Sequence, residues 1–206
     1  MKKKIIIFAS GSGTNFKNIY KYISLKDING EISLVVSNNS DCGAIEYAKS
    51  LGIKTFVYNS NKFKGDKNQN ILFTKIKKYK PDLILLAGYL KKIPKSFIDF
   101  YNKKILNIHP SLLPKYGGKG FYGMNVHKKV YENKDNISGA TIHFVDYNYD
   151  TGPILLQKKI SLDKCDSPEK IAKKVLKVEH DIYPKAVELF CNNKIIWTDN
   201  KPLIKE

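Results

Sequence analysis

Arginine is missing from this chain altogether: all 36 basic residues are lysine. The formal net charge of +17 first suggests a nucleic-acid partner. Sequence-reading proteins, however, depend on the planar, bidentate guanidinium, which lysine cannot supply. The lysines are also spread along the whole chain, with no basic block longer than three. Asparagine and isoleucine are abundant as well, so a genome rich in Lys, Asn and Ile codons explains the charge more simply. What the charge does imply is a positive field that draws phosphates and carboxylates inward.

Cysteine is scarce. Cys42, Cys165 and Cys191 show no C-x-x-C spacing, which speaks against a zinc site or a disulfide framework and fits a reducing, cytoplasmic compartment. Long apolar runs are missing too. Leu83 to Leu86 is far short of the roughly 20 residues a membrane helix needs. Lys2 to Lys4 followed by Ile5 to Ala9 is too short an apolar stretch for a secretory signal and reads as a buried first strand. There is no internal repeat, no Pro- or Ser-rich linker and no low-complexity block beyond the lysine bias. At 42% hydrophobic and 27% charged residues, the composition is that of a globular protein. The expected organisation is one domain, residues 1–206.

Apolar runs alternate with helix-like segments. Strands are predicted at Ile5–Ala9, Ile32–Ser37, Lys54–Val57, Leu83–Ala87 and Ile105–Ile108, and helices at Phe16–Tyr22 (with Asn15 as its cap), Ala44–Leu51 (ended by Gly52), Ile71–Tyr79 and Asn125–Glu132. Thr141–Val145 and Ile154–Ile160 alternate like strands of an outer, partly antiparallel region. Ile171–Phe190 carries a helical apolar rhythm. The alternation implies βαβ units and a mostly parallel sheet. Ligands of such sheets sit beyond the carboxyl ends of the strands. That directs attention to Gly11–Asn15, Gly88–Pro94 and Asn107–Pro114.

Ser10-Gly11-Ser12-Gly13-Thr14-Asn15 is a glycine-bearing loop before a helix. Its backbone N–H groups and the helix N-terminus suit a phosphate, or it is simply a tight strand–helix turn. It is neither a dinucleotide fingerprint, since Phe16 stands where glycine is needed, nor a Walker loop. In Asn107-Ile108-His109-Pro110-Ser111-Leu112-Leu113-Pro114, residues 107 and 109 share one strand face. An amide donor beside an imidazole can hold a developing oxyanion and move a proton. Asp150-Thr151-Gly152-Pro153 closes a short acidic loop, readable as a surface turn or as a carboxylate aimed at an imidazole. His127 and His143 have no carboxylate or cysteine at metal-ligand spacing and read as structural, and His180 follows Glu179 on a helix. Tyr116 to Tyr122, with three glycines, reads as a lid loop.

Together these segments resemble the folate-dependent formyltransferases. Almost the whole chain is involved. Ser10–Asn15, Ser37-Asn38, Leu86-Ala87-Gly88-Tyr89, Asn107 to Tyr116, Gly139 to Val145, Asp150–Pro153 and Glu179-His180-x-x-Tyr183-Pro184 come in the family's order, and the set is similar to the members that formylate glycinamide ribonucleotide. The resemblance implies a single-domain, Rossmann-like α/β fold. Its mostly parallel sheet has helices on both faces and an antiparallel extension in the C-terminal half. It implies transfer of the formyl group of 10-formyltetrahydrofolate to the amine of 5-phosphoribosylglycinamide in purine biosynthesis. It implies a catalytic trio of Asn107, His109 and Asp150, and Gly13, Thr14 and Asn15 around the substrate phosphate. Leu90, Lys91, Lys92 and Ile93, with Asn107, would contact the folate, and Glu179 the glycinamide substrate. The partners would be these small molecules alone, without metal, nucleic acid or membrane, and the protein a monomer or homodimer. Many relatives place an arginine in the loop after the third strand. Here that loop is Lys62-Phe63-Lys64-Gly65-Asp66-Lys67, so no folate contact is assigned to it.

Related chemistries stay open at this point. Methionyl-tRNA formyltransferase shares the catalytic motif but carries an arginine–glycine pair after S-L-L-P and a further domain. Formyltetrahydrofolate hydrolase and sugar-nucleotide formyltransferases use the same constellation. A lysine-rich nucleic-acid binder would explain the charge but not Asn107, His109 and Asp150.

Overall fold

The computed structural model describes residues 1–58 and 66–205, with the backbone alone at 66–69. The lysine-bearing loop from Lys62 to Gly65, and the side chains of Asp66 and Lys67, lie outside the described residues. The chain falls into two compact units, Met1–Leu106 and Asn107–Glu206.

The first unit is built from βαβ steps. Strand β1 (Lys3–Phe8) leads into helix α1 (Thr14–Ser24), followed by β2 (Gly30–Ser37), α2 (Gly43–Ser50), β3 (Thr55–Val57), α3 (Asp66–Lys77), β4 (Leu83–Leu86) and α4 (Lys95–Phe100). β1 pairs in parallel with β2 on one side, Ile5 opposite Ile32, and with β4 on the other, Ile5 opposite Leu83. β3 extends the β2 side, giving the order β3-β2-β1-β4. Ile5, Ile6, Ile7 and Phe8 are wholly buried, which is why β1 reads as an unbroken apolar run rather than an alternating one. The connections change direction between β1 and β4, so the loops after these two strands open at a topological switch point.

Helix α1 starts earlier than its sequence suggests. Its N-cap is Gly13, at φ 73°, and no side chain caps it. The expected cap, Asn15, is instead the second residue of the helix and is buried. Glycine is required at 13 twice over. The backbone is left-handed there, and a Cβ would stand 2.9 Å from the Cα of Ala44. The short helix α4, which follows Pro94, has no counterpart in the sequence reading.

Strand β5 (Ile105–His109) carries the chain from the first unit into the second. The second unit continues with α5 (Met124–Glu132), β6 (Ile137–Phe144), β7 (Ile154–Ser161), α6 (Pro168–Cys191) and a hairpin of β8 (Ile195–Thr198) and β9 (Lys201–Ile204). β6 and β7 are antiparallel, Thr141 opposite Gln157, as their alternation implied. Ser167 caps α6 by accepting from the Lys170 N–H at 3.3 Å, and Pro168 occupies the first turn, where its missing N–H costs nothing. The hairpin was not legible beforehand. Trp197 anchors it edge-on to Phe144, with ring centroids 4.7 Å apart. Parallel pairing in the first unit and antiparallel pairing in the second match the expected α/β class. No helix among the described residues is long and apolar enough to cross a membrane.

Candidate active site

The second unit gathers Asn107, His109 and Asp150 around one carboxylate. Residues 107 and 109 lie on one face of β5, and the turn after them is fixed to the β6–β7 pair. Thr141 donates its hydroxyl to the Ser111 carbonyl at 2.6 Å and accepts the Leu113 N–H at 3.2 Å. Gln157 donates to the Leu113 carbonyl at 3.0 Å and to Thr141 Oγ1 at 2.9 Å. The S-L-L-P stretch is therefore held by side chains from β6 and β7. The acidic loop is equally constrained. A Cβ on Gly152 would collide with the Phe144 carbonyl oxygen, so only glycine lets the loop fold this tightly against β6. The Phe144 N–H donates to the Pro153 carbonyl at 2.9 Å. Asp150 itself is left-handed, at φ 58°, a conformation that aspartate tolerates better than most residues with a side chain.

This packing aims both oxygens of Asp150 at the site. Oδ2 faces His109 Nδ1 at 3.4 Å and accepts the Gly118 N–H at 2.9 Å. Oδ1 faces Asn107 Nδ2 at 3.4 Å and His143 Nε2 at 3.6 Å. Burial alone would push the Asp150 carboxyl up. The facing His109 and His143 rings, the His109 charge and the Gly118 N–H outweigh that and hold it well below the usual carboxylate range. The carboxylate is ionised at neutral pH.

His109 is buried, with 4% of its surface exposed. Its Nε2 lies 2.7 Å from the Tyr116 carbonyl oxygen and its Nδ1 faces Asp150. Both neighbours can only accept, so a ring carrying both protons satisfies both. The arrangement suits an imidazolium that stabilises negative charge and passes a proton on.

His143 belongs to the same cluster, which sequence spacing gave no reason to expect. Its Nδ1 donates to the Phe144 carbonyl at 2.9 Å, leaving Nε2 to accept from Asn107 Nδ2 at 3.0 Å. The same Nε2 can donate to Asp150 only when the ring is protonated. Alternation along β6 puts Thr141 and His143 on one face, and that pairing was the available signal.

In the first unit, the loop after β1 is joined to the loop after β4. The Leu90 N–H donates to Ser10 Oγ at 2.9 Å, and the Ser10 hydroxyl donates to Asn38 Oδ1 in a short hydrogen bond. The Ser10 N–H meets the Gly88 carbonyl at 3.1 Å. Gly13 is buried, Thr14 half-buried and Asn15 buried at the N-terminus of α1. Leu90, Lys91 and Lys92 are exposed, whereas Ile93 is in the core. Ser10→Ala should speed hydrogen exchange at the Leu90 amide roughly five- to tenfold, the loss of one net hydrogen bond of about 1 kcal/mol. An unchanged Leu90 exchange rate would show that Ser10 does not hold the two loops together.

Glu179 is buried on α6. Burial, then the Glu179 charge, raises the Tyr183 hydroxyl well above its ordinary value. Among the described residues, no group of three or more His, Cys, Asp or Glu side chains is placed to hold a metal ion.

An amide, an imidazole and an ionised carboxylate around one point, on an α/β scaffold, are the set an enzyme of the acyl-transfer type needs. The chain belongs to the formyl transferase family, whose model matches residues 3–187. It is 44% identical over 209 residues to phosphoribosylglycinamide formyltransferase, chloroplastic, of Arabidopsis thaliana, covering 99% of this chain and 71% of that one. It is 33% identical to phosphoribosylglycinamide formyltransferase of Escherichia coli K12, covering 95% and 91%. Among solved structures it resembles glycinamide ribonucleotide transformylase 1 from Symbiobacterium toebii, with a TM-score of 0.91 at 29% identity, over 100% of this chain and 95% of that one.

Proposed function

We propose that this protein transfers the formyl group of 10-formyltetrahydrofolate to the amine of 5-phosphoribosylglycinamide, giving formylglycinamide ribonucleotide and tetrahydrofolate in de novo purine biosynthesis. The carrying observation is the convergence of Asn107, His109 and Asp150 on one point; the near-full-length relatives of that name support the choice of acceptor. The neutral amine attacks the formyl carbon, and negative charge builds on the formyl oxygen. Asn107 Nδ2 and His109 Nδ1, whose contacts to Asp150 are long at 3.4 Å, are the donors that turn from that carboxylate to meet it, while His109 Nε2 stays on the Tyr116 carbonyl. Asp150, 3.4 Å from Nδ1, orients the ring. As the tetrahedral centre collapses, the amine loses a proton and the folate nitrogen gains one, with His109 the group placed to relay it.

The remaining assignments belong to the same reading. Gly13, Thr14 and Asn15 hold the ribonucleotide phosphate at the α1 N-terminus, which the left-handed Gly13 turn supports. Leu90 to Ile93 line the folate through their backbone and the exposed Leu90 side chain. Glu179 meets the glycinamide. The family match spans both units, which supports treating residues 1–206 as one formyltransferase domain. A reducing cytoplasm and a monomer or homodimer complete the proposal, with no nucleic-acid or membrane partner. The test is a substrate panel: formyl-folate with glycinamide ribonucleotide, initiator Met-tRNA, an amino-sugar nucleotide, or water. Rapid loss of formyl-folate only with glycinamide ribonucleotide is expected. Equal or faster turnover with tRNA or water overturns the reading.

The missing arginines give a second expectation. Folate tails are carboxylates, and lysine offers them only a hydrated point charge screened over about 8–10 Å near physiological salt. The phosphate, held by backbone N–H groups, is better protected. KM for the folate should therefore rise more steeply with salt than KM for the ribonucleotide, most of all with polyglutamated folates. Paired KM titrations with kcat monitored check this, and the opposite order would mean the two electrostatic roles are reversed.

A further inference from the structure

Tyr116 combines two features that the catalytic trio does not explain. Its backbone is left-handed, at φ 56°, where a bulky side chain is a genuine outlier. From that conformation its carbonyl oxygen accepts His109 Nε2–H at 2.7 Å. The other end of the same residue is clamped. The phenol hydroxyl donates to Asp135 Oδ2 at 2.7 Å and accepts Asn133 Nδ2–H at 2.7 Å. Asp135, in the turn between α5 and β6, is itself gripped by Lys115 Nζ at 2.7 Å and 2.8 Å. The Lys115 ammonium also lies 5.0 Å from the centre of the Tyr116 ring. The side chain of Asp135 is 16% exposed and that of Lys115 58%, so the phenol–carboxylate bond is partly desolvated while the lysine end of the network faces solvent.

We propose that Tyr116 and Asp135 are positioning residues for His109, the phenol–carboxylate hydrogen bond holding the Tyr116 backbone in the one conformation from which its carbonyl fixes the His109 ring. The inference rests on the formyl-transfer reading for its kinetic consequence but not for its geometry. The Tyr116 carbonyl and Asp150 together bracket the imidazole, one acceptor at each nitrogen. With the phenol released, the left-handed turn relaxes and the ring loses one of its two brackets. A donor that must meet a developing oxyanion tolerates little misplacement, so chemistry suffers while binding does not.

The test pairs kinetics with a spectroscopic readout. Tyr116→Phe removes only the hydroxyl. It should lower kcat tenfold to a hundredfold (roughly, by the cost of misplacement), with KM for both substrates changed less than about twofold. The His109 Nε2–H resonance should exchange slowly in the natural protein, where the proton is buried on the Tyr116 carbonyl, and should broaden or vanish in the variant. Asp135→Ala should behave like Tyr116→Phe, and Asp135→Asn, which keeps an acceptor for the phenol, should recover most of the lost kcat. A kcat near that of the natural protein in Tyr116→Phe, KM rising in step with any loss, or an unchanged His109 resonance overturns the proposal. If the natural protein itself transfers no formyl group, the functional reading fails, and the resonance alone still decides whether the clamp holds His109.

Discussion

His109→Ala lowers kcat by roughly a hundredfold or more while the protein stays folded, because losing one preorganised oxyanion donor costs about 3–4 kcal/mol of transition-state stabilisation. Asn107→Ala and Asp150→Asn should each fall in the same range. They do so for different reasons. Asn107→Ala removes an amide whose two hydrogens serve His143 and Asp150, so the site loses a donor and His143 loses its partner. Asp150→Asn keeps the shape of the loop but removes the charge that His109 and the Gly118 N–H face. In the proposed mechanism all three work through one arrangement, so their effects should not add: Asn107→Ala combined with His109→Ala should be little slower than the worse single variant. Single-turnover rates at saturating substrate measure this directly. Near-normal kcat in His109→Ala would remove the assignment, and strict additivity in the double variant would break the unit into independent contacts.

Much of this site can be read before folding because its parts are local. Asn107 and His109 are two apart on a strand, a relation written in a short spacing, whereas the close approach that demands glycine at 152 shows only in the fold. What could not be read is what depends on pairing across the sheet. His143 carries no neighbouring ligand and looks structural, yet β6 delivers its Nε2 to Asn107. The Tyr116–Asp135 clamp spans 19 positions, and nothing in its sequence announces a left-handed tyrosine. At α1 the residue types mislead for a physical reason. Asn15 is a good capping residue type, but Gly13 already turns the chain, so the helix begins before the asparagine is reached and buries it. The hairpin after α6 stayed hidden because its strands are short and half polar, and one contact, Trp197 on Phe144, ties it down.

Acid should destabilise the folded protein in two successive windows, the first set by His127. This residue is buried on α5, 5% exposed, and its Nδ1 is buried with no hydrogen-bond partner among the described residues. Burial, then the nearby His109 charge, lowers its pKa from 6.5 to about 4. In the unfolded chain it titrates normally. Between pH 6.5 and about 4 the unfolded state therefore holds a proton that the folded state refuses, and stability falls as pH drops through that window. At 1.36 kcal/mol per pKa unit, the full effect is about 3 kcal/mol as an upper order of magnitude. Asp150 acts below that range. Its folded pKa is depressed, so its stabilisation is complete above the ordinary carboxylate value and is lost only as pH falls further. Urea unfolding at pH 7, 5.5, 4.5 and 3 separates the two. His127→Gln should flatten the decline between pH 7 and 4.5 and leave the decline below pH 4 intact. His109→Ala should give a partial flattening, because it removes the charge but not the burial. If His127→Gln loses stability with acid as steeply as the natural protein over the upper window, His127 takes up its proton in the folded state and the buried, uncharged imidazole described here is wrong.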